Sequence, residues 1–370
     1  MRMIELMPVS RQFRLLKSEI LAEISDTLEQ GKYILGPRVK RFENRIAELT
    51  GAEHAVAVAN GTDALVLTLD ACGIGPGDEV ITTPYTFFAT SEAISRVGAT
   101  PVFVDIDRFW NLDAEQVEQA ITSRTRAILP VHLFGQPARM DVIREIADRC
   151  GLLVIEDACQ AFGARFDDKP AGTLGHAGCF SFFPTKNLGT LGDGGVIVTS
   201  DATLAERLRG LRQHGSSKRY YHDAIGYNSR LDELHAAVLL VMAGKVEEWN
   251  ERRCELAQKY DERLAPLRPF LELPVTEDGR RHAYNVYCIT SPHRDFLREE
   301  LLARKVQTGI YYPRPLHLQQ AYRSLGYKPG DFPAAERLSE EALALPMGPL
   351  LTEQEQDHII AALRDISERT

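Results

Sequence analysis

The sequence predicts an α/β fold: a mostly parallel central sheet flanked by helices, followed by a smaller C-terminal α+β domain. Two observations carry this expectation. Between residues 54 and 200, β-rich runs alternate with helical patterns, the signature of successive βαβ units. After about residue 246 the character changes to long charged helices, residues 246–264 first, mixed with strands such as 282–290. A chain of 370 residues with 44% apolar content supports a full core and two domains, expected at residues 1–246 and 247–370. No Pro/Gly linker marks the boundary, so a long helix is expected to join them.

Taken in order, residues 54–59 form the first strand and residues 62–72 the helix after it. The run Gly73-Ile74-Gly75-Pro76-Gly77 looks like a dinucleotide fingerprint, but it follows a helix and precedes a strand, the reverse of the required order. It is a turn. Strands at 79–82, 100–105 and 126–131 continue the alternation. Leu152-Leu153-Val154-Ile155 is uncharged, as a strand covered on both faces must be. It delivers Glu156 and Asp157 at its carboxyl end, where open α/β sheets place their ligands. Strands at 179–183 and 196–199 complete the set. Ser229 and Asp232 resemble a capping box, and Leu231, Leu234, Val238 and Val241 continue at helical spacing, which puts Asn228 at a helix mouth.

Several function classes are disfavoured. The formal charge of -9 argues against general nucleic-acid binding, which needs a basic face. The six cysteines, at 72, 150, 159, 179, 254 and 288, contain no Cys-x-x-Cys pair and read as reduced thiols rather than disulfides or a zinc site. The first eleven residues lack a charged segment followed by an apolar one, and no run is long and charge-free enough to span a bilayer. A cytoplasmic protein without a membrane partner or a metal is expected.

Lys186 is the most informative residue. It sits in Phe180-Ser181-Phe182-Phe183-Pro184-Thr185-Lys186-Asn187-Leu188-Gly189, after an apolar run and before Gly192-Asp193-Gly194-Gly195. Its amine and the Asp157 carboxylate are expected to meet in one crevice. Pyridoxal phosphate needs this pair: a lysine to hold its aldehyde covalently, and a carboxylate to keep its ring nitrogen protonated. An acid closing an uncharged strand is costly to bury without a positive partner, which that nitrogen supplies. Glu156 should face the other side of the strand and serve structure. The turn Asn60-Gly61-Thr62-Asp63 leaves unpaired N–H groups at a helix start, which suits a phosphate. By spacing alone an ordinary N-cap by Thr62 or Asp63 is the better reading.

These residues resemble the DegT/DnrJ/EryC1/StrS sugar aminotransferases, pyridoxal phosphate enzymes of fold type I. The likeness spans nearly the whole chain and rests on six ordered segments. They are Asn60-Gly61-Thr62-Asp63-Ala64-Leu65, Gly75-Pro76-Gly77-Asp78-Glu79-Val80, Pro101-Val102-Phe103-Val104-Asp105, Glu156-Asp157-Ala158-Cys159-Gln160-Ala161, the Lys186 segment, and Asn228-Ser229-Arg230-Leu231-Asp232-Glu233. The resemblance implies that Gly61, Thr62, Asp63 and Ser181 hold the cofactor phosphate and that Phe87 stacks on the ring. By the same resemblance Gln160 lies beside the ring hydroxyl, Asp157 meets the ring nitrogen, and Lys186 is the catalytic residue. Asn228 would reach the phosphate of the neighbouring monomer, so a homodimer with shared sites is implied. Taken alone, Phe87 and Phe88 read as core aromatics, Ser181 as a strand serine, and Gln160 as a surface or capping residue.

The implied activity is amino transfer from an amino acid, glutamate by family habit, to a nucleotide-linked ketosugar, within amino sugar biosynthesis for polysaccharides or antibiotics. Related sugar dehydrases carry histidine at the Lys186 position, so dehydration is not expected. Leu191-Gly192-Asp193-Gly194-Gly195 and the spacing from Tyr221-His222 to Asn228 look more like members that aminate C3 of a dTDP-3-keto-6-deoxyhexose. The same chemistry at C4, or on a UDP-linked 3-keto-hexuronate, is the alternative. Arg207, Arg209, Arg212, Lys218 and Arg219 form a cationic segment that either receives the diphosphate or is a solvated helix face. Arg219, Arg230 and His317 are the candidate sugar-side residues. A non-catalytic regulatory protein that keeps the cofactor is the rival from another class, and it could lose Lys186 or Asp157 without penalty. An aminotransferase of ordinary amino acids would need an arginine committed to the α-carboxylate, and none can be singled out.

Overall fold

The computed structural model describes residues 2–369. Seven strands build the main sheet: β1 (His54–Val58), β2 (Glu79–Thr82), β3 (Thr100–Phe103), β4 (Thr125–Ile128), β5 (Leu153–Asp157), β6 (Ala177–Ser181) and β7 (Gly195–Thr199). Their spatial order is β1-β7-β6-β5-β4-β2-β3. Neighbours from β3 through β6 run parallel, whereas β7 is antiparallel to both β6 and β1. This is the α/β architecture, mostly parallel, that the sequence predicts. Strand β7 alone reverses because residues 182–194 return as a loop, and parallel neighbours would require a helical crossover there. Consequently β1, β5 and β6 all end on the same edge of the sheet, and the Lys186 loop leaves from it.

Helices cover both faces. They include α1 (Val9–Leu15), α2 (Lys17–Gln30), α3 (Pro37–Thr50), α4 (Gly61–Ala71), α5 (Ala89–Arg96), α6 (Met140–Cys150), α7 (Ala202–Leu211) and α8 (Glu233–Ala243). Every residue of β7 is buried, as a strand sandwiched between helices must be. Helix α9 (Val246–Leu264) crosses between two cores. Val246 and Trp249 pack with the sheet-side cluster, whereas Leu256, Ala257, Tyr260 and Leu264 pack in a C-terminal one. The C-terminal cluster also gathers β8 (Tyr287–Thr290), α10 (Arg294–Ala303), β9 (Ala342–Leu345) and α11 (Glu353–Ser367). Ile4 joins it too, bridging to Val306, so the N-terminal segment packs on the last third of the chain.

Three local expectations are corrected. The strand expected at 282–290 pairs only over Tyr287–Thr290, because Tyr284 adopts φ 44° and Ala283 and Asn285 donate their N–H groups to Gly135 and Phe134 instead. The strand expected at 179–183 ends at Ser181, where the loop to Lys186 begins. The capping box at Ser229 and Asp232 does not form: Ser229 is buried and its hydroxyl accepts from Ala59 N–H at 3.2 Å. Helix α8 starts at Glu233, whose carboxylate reaches across to the N–H groups of Arg38 and Val39 at 2.9 and 2.8 Å. It thereby caps α3 and sits against Gly36, where an added Cβ would lie 2.8 Å from its Cδ.

Candidate active site

Strand β5 sets the floor of the site. Its last two residues are buried on opposite faces and do different things. Glu156 is consumed by structure: its oxygens accept from the N–H groups of Gly172, Leu174 and Gly175, each at 2.6 Å, and one contacts His132 Nε2 at 2.7 Å. Because Ala138 N–H donates to His132 Nδ1, the imidazole proton sits on Nε2 and points at Glu156. Asp157 faces the crevice. One oxygen accepts from the Thr90 hydroxyl at 2.7 Å and the other from Cys159 N–H at 3.2 Å. Thr86 and Thr90 hydroxyls are 3.0 Å apart, so a relay Thr86→Thr90→Asp157 fixes the carboxylate.

Lys186 shares that crevice. Its ammonium feels Asp157 and Cys159, and burial pulls its pKa below the ordinary lysine value despite their attraction. The amine is therefore more readily available as the free base than a surface lysine. Its loop is anchored by Asn187, whose amide donates to Asn250 and to Ala283 C=O, each at 2.7 Å. Asn285 holds Thr185 C=O at 3.1 Å.

The opening of α4 forms the adjoining wall. Asn60 is the N-cap, its side chain accepting from Asp63 N–H at 2.8 Å, so the cap belongs to neither Thr62 nor Asp63. Gly61 and Thr62 N–H groups, in the first turn, have no intrahelical acceptor. A Cβ at Gly61 would lie 2.7 Å from Ser181 Cβ and 3.0 Å from Cys159 Sγ. Only glycine fits, and it brings the helix mouth against Ser181 and Cys159, beside the Lys186 amine.

Phe87 and Phe88 part company. Phe87 is 57% exposed with its ring 6.1 Å from Tyr312, whereas Phe88 packs inward, 5.6 Å from Tyr322. Gln160 is buried, accepting from Phe134 N–H at 2.8 Å and donating to the Tyr312 hydroxyl at 3.0 Å. Sequence reasoning missed Thr90 and Tyr312. Tyr312 lies 152 residues from its partner in the chain, so no local signal could pair them. Thr90 carried a weak one: it lies in the same short run as Phe87.

The cationic segment divides. Arg212 is buried and contacts Glu43 at 2.5 Å and Ala57 C=O at 2.7 Å, so it is a structural residue. Arg209 meets Glu206 and Arg207 reaches Asp70 C=O. Only Lys218 and Arg219 stay on an exposed hairpin, over the rings of Tyr221 and Tyr220 at 5.5 and 5.0 Å. Asn228 is exposed and bridged to Gln213. Arg230 is half-buried with its Nε unpartnered. His317 is 2% exposed, with Nε2 3.1 Å from Glu336 and its ring edge-on to Phe332, so its imidazole is turned inward.

Comparison with known proteins decides the family. The model of the DegT/DnrJ/EryC1/StrS aminotransferase family matches residues 14–364. The chain belongs to this family. It is 47% identical to the pleiotropic regulatory protein of Geobacillus stearothermophilus, over 98% of both chains. It is 46% identical to the dTDP-3-amino-3,4,6-trideoxy-alpha-D-glucose transaminase of Streptomyces venezuelae, over 96% of this chain and 93% of that one. The crystal structure of S. venezuelae DesV in complex with a ketimine intermediate superposes with a TM-score of 0.98 at 44% identity, covering all of both chains. This chain is accordingly an aminotransferase of the family, and pyridoxal phosphate is its cofactor.

The residues present fit that group. Asp157 is buried with two hydrogen-bond donors but no cationic side chain within 4 Å among the described residues, which suits a protonated ring nitrogen. The Gly61 cradle beside Ser181 suits a phosphate, and Cys159, which lies against that cradle, acts with Asp157 on the Lys186 amine. Among the described residues no group of three or more His, Cys, Asp or Glu side chains could hold a metal ion, all six cysteines are free, and no helix is long and apolar enough to cross a membrane.

Proposed function

We propose that this aminotransferase carries an amino group from an amino acid, glutamate in the first instance, to C3 of a dTDP-linked 3-keto-6-deoxyhexose. The convergence of Lys186 and Asp157 in one crevice is the observation on which the catalytic half of this reading rests. The likeness to a transaminase named for a dTDP-3-amino sugar supports the sugar half. Lys218 and Arg219, with no carboxylate partner among the described residues, offer exposed cations to a diphosphate. Arg230 would assist from the inner side, and His317, turned toward Glu336 and Phe332, would not touch the sugar.

When bound, the cofactor supplies an electron sink for the carbanion formed at the substrate carbon. Everything else falls to this chain. Lys186 would hold the cofactor covalently, and its free Nζ would take the proton from the donor's α-carbon and deliver one to the sugar carbon. Asp157, held by Thr90 and Cys159 N–H, would keep the ring nitrogen protonated. Gly61, Thr62, Asp63 and Ser181 would seat the phosphate, Phe87 would cover the ring, and Gln160, fixed by Phe134 and Tyr312, would meet its hydroxyl.

Asn228 would complete the site of a second subunit. Tyr33, Ile34 and Leu234 are exposed apolar residues in one neighbourhood, joined by the Ile34–Asp232 bridge and the Glu233 N–H to Tyr33 C=O bond, and they suit burial in a homodimer.

A regulatory protein that only retains the cofactor has no need of a desolvated lysine beside a relayed carboxylate. The test is direct: load the enzyme, add glutamate, and follow loss of the visible band of the lysine-bound cofactor. Then offer dTDP- and UDP-linked 3-keto and 4-keto sugars to the aminated form. Turnover only with a 4-keto or UDP-linked sugar would reassign the substrate, and no response to any amino donor would favour the regulatory rival.

A further inference from the structure

Away from the cofactor crevice, four separate stretches of chain enclose a second one. Its lining includes Met7 and Gln12 from the N-terminal segment, Thr185 beside the catalytic lysine, Arg253 from α9, and Gly348 and Leu350 from the loop before α11. Arg253 is only 4% exposed. Its Nη1 donates to Tyr284 C=O at 3.2 Å, its Nε has no partner, and no acidic side chain acts on it. Burial without an anion pulls even this guanidinium down to a pKa of about 10. A buried cation left unpaired costs several kcal/mol, which is why such groups are found paired. Gln12 lines the same space, and its amide, which makes no hydrogen bond among the described residues, is open to a ligand from solvent.

We infer that this crevice binds one small inorganic anion of chloride size, held by the Arg253 guanidinium and the Gln12 amide. The free volume is about 10 Å3, room for about one water-sized sphere. A space this small suits a single small ion rather than an amino acid or a sugar phosphate. A water would satisfy the Nε hydrogen but leave the charge uncompensated. The anion ties the N-terminal segment to α9, to the loop before α11 and to Thr185, so it fastens the Lys186 loop to both ends of the chain. Binding to the folded state alone stabilises it by mass action.

The test uses the holoenzyme crystallised with sodium bromide. An anomalous bromide peak within hydrogen-bond distance of Arg253 Nε or Nη2 is expected, and non-anomalous, water-like density there would overturn the inference. In solution, chloride should raise the thermal midpoint by roughly 2 °C over gluconate at equal ionic strength. Gln12→Leu, which keeps the bulk and loses the donors, should shrink that difference, and Arg253→Met should abolish it. Should Arg253→Met fail to fold, the Gln12→Leu comparison stands on its own. An equal chloride effect in wild type and Gln12→Leu would refute the site.

Discussion

The floor of the active site and the hairpin proposed as its rim are built on opposite principles. On the floor, Asp157, Thr90 and Gln160 are buried, each hydrogen-bonded by the ends of regular elements or by side chains that are themselves held. On the rim, Lys218 and Arg219 stand on an exposed two-stranded hairpin whose polar contacts lie within the hairpin itself or with its immediate neighbours. A floor fixed in advance keeps catalytic groups aligned without reorganisation during reaction. A loosely held rim can adjust to the substrate and pays an ordering cost when it does. If the hairpin does receive the diphosphate as proposed, the enzyme would hold its chemistry rigidly and leave its choice of sugar to a soft surface.

Mutations should separate the two regions by size and by kind. Lys186→Ala should lower transfer by at least about 10⁴-fold, the upper range for one proton-moving group, while some cofactor binding survives. Single-turnover assays measure it, and near-normal turnover would remove Lys186 from the mechanism. Asp157→Ala would deprive the ring nitrogen of its anion, and breaking a buried pair by about 3–5 kcal/mol corresponds to roughly 10²–10⁴-fold. The loss should show in cofactor affinity and in the absorption of the bound ring, which a purely structural carboxylate would leave alone. Thr90→Val keeps the shape but removes one hydrogen bond to a charged group, about 1.5–3 kcal/mol or roughly 10–100-fold. Its effect should fall on kcat with KM for the sugar little changed. An equal rise in sugar KM would show that floor and rim are not independent.

How legible each region was follows the same division. Asp157 could be read because an acid closing an uncharged strand has few physical excuses, and Lys186 because a glycine-rich return loop follows it. Six of the strands fell within two residues of expectation at each end, since buried parallel strands are continuous apolar runs. Strand β4 stopped at Ile128, three residues short, where Pro130 removes a ladder donor, although Val131 still bridges to Asp157. The Ser229 capping box failed because a hydroxyl three residues before an acid can equally well bond elsewhere, here to Ala59 N–H. Tyr312 and the Glu233 cap of α3 were invisible: both depend on contacts across more than 150 residues. Arg212 misled for the converse reason, since a helix arginine is normally solvated and its partner Glu43 lies 169 residues away.

The rim gives the smallest effect and the most diagnostic one. Arg219→Ala removes an exposed charge stacked on Tyr220, and exposed pairs contribute at most about 1 kcal/mol, so KM for the nucleotide sugar should rise only about 3–5-fold. Because the residue touches no reacting atom, kcat and the half-reaction with glutamate should be unchanged. The sign of the salt dependence sharpens the point. Added salt should weaken sugar binding in the wild type, where a surface cation meets a diphosphate, and weaken it less in the variant. A KM unaffected by both the substitution and ionic strength would mean that the hairpin does not receive the diphosphate. The half-buried Arg230, with its unpartnered Nε, would then be the cation left to do so, and sugar recognition would move from the soft rim onto the rigid floor.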